Sequence, residues 1–189
     1  MKVRESKGLV NVADMDSSLI LELKYATEDN FTKKAIYPVK VCVLQRETAL
    51  KLINANEEFK KLGYRIKIWD AYRPMYVQKI FWNIVMDDRF VANPNKNGSR
   101  HNRGTAVDVT LVDNFEKELR MPSKYDDFSG KAYRNYEGMD EEERKNINFL
   151  TEVMEHHGFL TIDTEWWHFD DSNYYKYDII DVKLENFIL

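Results

Sequence analysis

A single cysteine, Cys42, occurs among 189 residues. One thiol cannot form an internal disulfide, so no covalent framework holds this chain. Proline and glycine are sparse, at four and seven. No linker, low-complexity tract or internal repeat divides the sequence. No apolar run approaches the ~20 residues needed to span a bilayer. The first seven residues, Met1 to Lys7, lack the apolar core of a signal peptide. Together with the lone thiol, this makes a cytoplasmic location the expectation, provided the sequence is not a trimmed mature form. A basic excess is absent too. The net charge of −4 gives no electrostatic footprint for nucleic acid. Neither nucleic acid nor membrane is an expected partner.

Aromatic residues are plentiful, with four Trp, eleven Tyr and ten Phe. The length suits one domain, residues 1–189, with a real core and aromatic-walled pockets. Residues up to about Ser18 read as an irregular lead-in. Leu19, Leu21, Leu23 and Tyr25 alternate as a strand does. Residues from about Arg46 to Leu62 carry a helical stripe of Leu52, Ala55, Phe59 and Leu62, and Gly63 follows as a stop. Tyr64 to Asp70 reads as a strand. Pro74 fits the first turn of a second helix, with Val77, Ile80, Phe81, Ile84 and Val85 as its buried face.

Residues from about Asp113 to Gly138 read as a long loop with room for a short hairpin. A loop of that length is usually functional. Asp140 and Glu143 make a capping pair for a third helix, whose apolar face is Ile147, Leu150, Val153 and Met154. Phe159 to Phe169 is strand-like, and a short strand is expected over Tyr177 to Val182. The links are too short for repeated crossover helices. The expected fold is therefore α+β, with a mainly antiparallel central sheet flanked by helices.

The chemistry gathers in Ser99-Arg100-His101-Asn102-Arg103-Gly104-Thr105-Ala106-Val107-Asp108. Asp108 sits in the strand-like run Ala106 to Leu111. A carboxylate among valines is costly unless something pairs with it. A metal ion is one such partner, with His101 as co-ligand, and Gly104 permits the turn that brings the two together. The plainer reading is a loop histidine beside an aspartate that accepts backbone hydrogen bonds. Glu165-Trp166-Trp167-His168 supplies a second histidine and a spare glutamate. Two His, one Asp and one Glu are the parts of a catalytic zinc hydrolase. Glu165 and His168 share a face only if their strand is bulged or strongly twisted.

Arg73, in Asp70-Ala71-Tyr72-Arg73-Pro74, reads first as the salt-bridge partner of Asp70. The alternative is a fixed cation that stabilises an oxyanion. His156 and His157 fall in the last turn of the third helix and are assigned to its terminus, not to a metal. Cys42 lies in an apolar stretch and is taken as buried and inert. The pairs Asp87-Asp88, Asp126-Asp127 and Asp170-Asp171 read as solvated surface.

These motifs together resemble the zinc D-alanyl-D-alanine dipeptidases of the vancomycin-resistance type, a group of D,D-peptidases related in fold to the Hedgehog signalling domain. The likeness rests on Ser-x-His-x-x-Gly-x-Ala-x-Asp at Ser99 to Asp108 and on Glu-Trp-Trp-His at Glu165 to His168. Leu23 to Phe31 and Asp70 to Pro74 add to it, so the matching blocks run from about residue 20 to residue 170. The resemblance implies one zinc ion held by His101, Asp108 and His168. It implies Glu165 as general base and acid, Arg73 as the transition-state cation and Ser99 as a substrate contact. In that family an aspartate in Met-Gly-x-x-Phe-Asp neutralises the substrate ammonium. Here the segment is Met121-Pro122-Ser123-Lys124-Tyr125-Asp126, which points to Asp126, with Pro122 in place of the glycine and Tyr125 in place of the phenylalanine.

The expected activity is hydrolysis of D-Ala-D-Ala or a closely similar small dipeptide. The alternatives are a murein D,D- or L,D-carboxypeptidase or endopeptidase, and a zinc-stabilised binding domain without catalysis.

Overall fold

The computed structural model describes residues 3–188. Its strands are β1 (Glu5–Ser6), β2 (Leu9–Asn11), β3 (Ile20–Leu21), β4 (Val43–Gln45), β5 (Tyr64–Asp70), β6 (Ala106–Asp113), β7 (Phe159–Ile162) and β8 (Glu165–Asp171). Its helices are α1 (Arg46–Lys61), α2 (Met75–Val85) and α3 (Glu141–His156). Five strands form the central sheet in the order β3-β5-β6-β8-β7, and β1-β2-β4 form a second, smaller sheet. Only β3 and β5 pair in parallel; the other pairs are antiparallel. The expected α+β class with a mainly antiparallel sheet is what the chain adopts.

Alternation in β6 sorts its two faces. Val107, Val109 and Leu111 pack with Leu52 and Phe59 of α1 and Leu150 and Met154 of α3. Asp108 and Thr110 therefore face the other way. A second apolar cluster joins Val77 and Phe81 of α2 to Tyr25, Tyr37, Tyr72, Leu184 and Phe187. The α1 stripe forms over Leu52, Ala55 and Phe59, but Leu62, expected on the same face, lies just past the helix and is 55% exposed. The α3 capping box forms as the sequence predicts, with Asp140 accepting from the Glu143 N–H at 2.9 Å and Glu143 accepting from the Asp140 N–H. Pro74 caps α2 from the position before its first residue. Among the described residues, no helix is long and apolar enough to cross a membrane.

Five further local expectations are corrected. In the lead-in, Met1 and Lys2 lie outside the described residues, and the remainder contains the β1–β2 hairpin. Lys7 and Gly8 form its turn, both at positive φ, which suits the twist of a two-residue hairpin loop. The strand expected over Leu19 to Tyr25 shrinks to Ile20–Leu21, because Lys24–Ala26 closes into a 3-10 turn. Phe159 to Phe169 is not one strand but the β7–β8 hairpin. Tyr177 to Val182 forms no strand. The Ile180 N–H donates to the Asn102 carbonyl and the Val182 N–H to the Tyr72 hydroxyl, so this segment is tied by isolated bonds and not by a ladder. Ile84, expected in the buried face of α2, is 53% exposed.

Candidate active site

Strand pairing builds the centre of the site. Asp108 is the direct partner of His168, and Asp70 is the partner of Asp108 past a bulge in β5. Directly opposed residues share a face of the sheet, so these three side chains stand in a row across β5, β6 and β8. His101 arrives from a 3-10 turn, Arg100–Arg103, capped by Ser99. The Ser99 hydroxyl accepts from the His101 N–H at 3.2 Å, and Asn102 Oδ1 accepts from the Ser99 N–H at 2.7 Å. The turn is pinned to the Arg73 segment by the Arg73 N–H, which donates to the His101 carbonyl, and by Asn102 Nδ2, which donates to the Arg73 carbonyl. Gly104 ends the turn at φ +71. A Cβ there would lie 2.4 Å from Leu9 Cδ2, so glycine is required both for the backbone and for the space.

Three donor atoms converge in this row. His101 Nε2 lies 3.2 Å from His168 Nδ1, and Asp108 Oδ1 lies 3.3 Å and 3.0 Å from them. The other ring nitrogens are already committed. His101 Nδ1 donates to the Ala71 carbonyl at 2.6 Å, and His168 Nε2 donates to Asp170 Oδ1 at 2.9 Å. A neutral imidazole carries one N–H, so both inward nitrogens present lone pairs to a carboxylate oxygen. Three electron-rich atoms facing one another in a buried place call for a cation, and the N,N,O set fits a zinc-like ion.

Burial opposes a charge on His168, but Asp170 and Asp108 overcome this and raise its pKa to about 10. Burial also works to raise the Asp108 carboxyl, and the two imidazoles reverse that and hold it below the usual carboxylate range.

Glu165 and His168 do reach the same cleft, through the predicted irregularity. In the β7–β8 ladder Thr161 pairs with Phe169, yet Ile162 pairs with Glu165, so β8 carries Trp166, Trp167 and His168 as extra residues. Glu165 Oε2 stands 3.9 Å from His168 Nδ1. Burial pushes the Glu165 carboxyl up to about 8, with His168 opposing.

The salt bridge of Arg73 to Asp70 forms as the plainer reading expects, and it holds the guanidinium beside the donor triad. Its Nε and Nη2 donate to Asp70 Oδ2 at 3.0 and 2.7 Å, and Nη1 donates to Gln78 Oε1. The guanidinium also lies 4.9 Å from the Phe81 ring centre and 4.0 Å from Asp108 Oδ2. It is a fixed cation beside the donor triad, with N–H groups to spare for an anion.

Asp126 adopts φ +58. Its Oδ1 accepts from the Tyr25 hydroxyl at 2.9 Å, while Oδ2 is buried without a hydrogen-bond partner. Burial pushes its carboxyl up to about 7 against the Tyr25 hydrogen bond. Ser99, Arg73, His101, Asp108, Asp126, Glu165 and His168 all line one cleft of about 330 Å³, walled by Phe31, Phe81, Phe128 and Trp167.

The reading of Asp170-Asp171 as surface is corrected. Both are buried. Asp170 fixes the His168 ring, and Asp171 accepts from Thr48 and Lys51. The signal was the spacing, since residues 168 and 170 share a face of a strand. Sequence reasoning also missed Tyr25 and the hydroxyl of Tyr125, which donates to Asp108 Oδ2 at 2.8 Å. Cys42 is buried as expected, and burial pushes its thiol up. Among the described residues a second group, Glu58, His156 and His157, also brings possible ligand atoms within 4.8 Å of one another. None of the three lines the cleft. Each imidazole hydrogen-bonds Glu58 Oε2, at 3.2 and 2.7 Å, which accounts for the arrangement.

Residues 5–185 match the family model described as Peptidase_M15, D-ala-D-ala dipeptidase. The D-alanyl-D-alanine dipeptidase of Escherichia coli is 32% identical over 97% of this chain and 95% of its own length. That of Enterococcus faecalis is 30% identical over 86% of this chain and 90% of its own. Among solved structures, the LD-carboxypeptidase LdcB superposes with a TM-score of 0.49 at 14% identity, over 94% of this chain and 81% of that one. The three converging donors, the half-buried Glu165 beside them and the Arg73 guanidinium thus occur in a chain that belongs to the peptidase M15 family of D-Ala-D-Ala dipeptidases.

Proposed function

We propose that this chain hydrolyses D-Ala-D-Ala, or a closely similar small dipeptide, with one zinc ion held by His101, Asp108 and His168 and with Glu165 as the base. The observation that carries the reading is the convergence of two inward-facing imidazole nitrogens and a carboxylate oxygen beside a separate, half-buried glutamate. Zinc on such a triad supplies Lewis acidity, acidifying water and drawing charge from a carbonyl oxygen.

The chain's own groups do the rest. Glu165 takes a proton from the attacking water at a carboxylate oxygen and returns it to the leaving amine nitrogen. Its desolvated site, which raises its pKa to about 8, suits it to hold that proton between the two transfers. Arg73, immobilised by Asp70, offers N–H groups to the oxygen on which charge develops. The unpartnered Asp126 Oδ2 suits a substrate ammonium, which would restrict the cleft to free dipeptides. Ser99 adds a hydroxyl to the substrate wall. The partner is the dipeptide itself, and neither nucleic acid nor membrane enters the reading. The same reading takes residues 1–189 as one zinc peptidase domain acting in the cytoplasm.

The test is D-alanine release from free D-Ala-D-Ala by zinc-loaded protein, with Glu165→Ala as the control and zinc content measured in both. We expect release by the wild type and a loss of at least about a hundredfold in the variant. Wild-type turnover in a zinc-bound Glu165→Ala protein would overturn the mechanism. No release by zinc-loaded wild type would overturn the substrate.

A further inference from the structure

Four oxygens form a line between the two functional carboxylates. Asp126 Oδ1 is 2.9 Å from the Tyr25 hydroxyl, which is 3.1 Å from the Tyr125 hydroxyl, which is 2.8 Å from Asp108 Oδ2. Each hydroxyl has one proton to donate. The Tyr125 hydroxyl is the donor in the bond to Asp108 Oδ2. The Tyr125 ring is locked for this task. Its centre lies 5.1 Å from that of Trp69, 5.5 Å from Trp167 and 5.9 Å from Tyr25.

The carboxylate it holds divides its labour. Oδ1 faces the two imidazole nitrogens, and Oδ2 takes the phenol, with the Arg73 guanidinium 4.0 Å away. An Asp108 without this bond is free to rotate about its last torsion and to turn the wrong oxygen towards the histidines. Phenylalanine would fill the same space without the hydroxyl.

We propose that Tyr125 is a positioning residue. Its hydroxyl clamps Asp108 Oδ2, so that Oδ1 is presented to the metal with its direction already set. The proposal rests on the reading of His101, Asp108 and His168 as the zinc triad. It follows the general behaviour of metal sites, in which a hydrogen bond to a ligating carboxylate preorganises the ligand. Tyr125 also has Tyr25 as its neighbour, which carries the line on to Asp126. The two ends of the cleft therefore share one rigid aromatic wall.

The experiment compares wild type, Tyr125→Phe and Tyr25→Phe. Zinc affinity is measured by competition with a chelator, kcat and KM with D-Ala-D-Ala, and thermal unfolding on metal-free protein. We expect Tyr125→Phe to unfold near the wild-type temperature when metal-free. Its zinc affinity should fall about tenfold to a hundredfold, and kcat should fall with little change in KM. Tyr25→Phe leaves the Asp108 bond in place and should keep its zinc affinity within about twofold of wild type. Unchanged zinc affinity in Tyr125→Phe would overturn the proposal. So would an equal loss in Tyr25→Phe, which would mark a general loosening of the wall. Failure of the wild type itself to bind zinc, or to lose it on His168→Ala, would instead count against the triad.

Discussion

At the scale of single residues, the site is a set of polar groups held by others. His168 presents Nδ1 inward because Asp170 holds Nε2, and that dependence can be measured. Asp170→Ala should lower zinc affinity about tenfold to a hundredfold, read by chelator competition, while leaving the three ligands unaltered. Asp126 gives a second prediction, with a sign. Its folded pKa is raised to about 7, so the folded state holds its proton after the unfolded chain has lost it. This contribution to stability is present at low pH and is lost as pH rises from about 4 to about 7. Between pH 5 and pH 8, metal-free wild type should lose about 2–3 kcal/mol more stability than Asp126→Asn. Urea unfolding of both proteins at the two pH values would show it, and parallel curves would refute it.

The three converging donors were legible because each lies in a short run whose neighbours constrain it. Asp170 and Tyr125 were not. An aspartate pair reads as surface, and a phenol that replaces a phenyl ring shows its meaning only when its hydroxyl meets a carboxylate.

At the scale of elements, the sequence marks helices well and short strands poorly. α1 and α3 could be read because an apolar stripe and a stop or capping box agree. β5 could be read over all seven of its residues, and β6 over Ala106 to Leu111, six of its eight. The β1–β2 hairpin was missed because strands of two and three residues carry no period. The bulge in β8 was inferred from function before pairing showed it, since two residues three apart had to face one cleft. The turn at Gly104 offers the sharpest test. Gly104→Ala meets both a left-handed backbone and a Cβ that clashes with Leu9 and crowds the Gln45 nitrogen at 3.2 Å. It should cost roughly 2–4 kcal/mol of stability in urea unfolding. Because His101 and β6 flank this turn, zinc affinity should fall with it.

At the scale of the whole molecule, the three proposed ligands come from a loop and two strands that meet only in the folded sheet. On the proposed reading, binding of the ion is coupled to folding. At a free zinc concentration about a thousandfold above the dissociation constant, the ion should add about 4 kcal/mol of stability. For a chain of this length that is a rise in Tm on the order of 10 °C. A chelator should remove the increment, and His168→Ala should never show it. A protein whose Tm ignores zinc would not carry the proposed centre.

Three of the four tryptophans lie around this same centre. Trp69 and Trp167 pack on Tyr125, and Trp166 stands edge-on to both. Trp82 belongs to α2, in the other apolar cluster. The protein thus carries its own optical probe. Three of the four indoles touch the wall holding Asp108, so a change at that wall should show in the indole emission. Ion capture and dipeptide entry can each be followed in unlabelled protein as a change in intensity or wavelength. A Trp82→Phe variant should sharpen that signal without touching the wall that produces it.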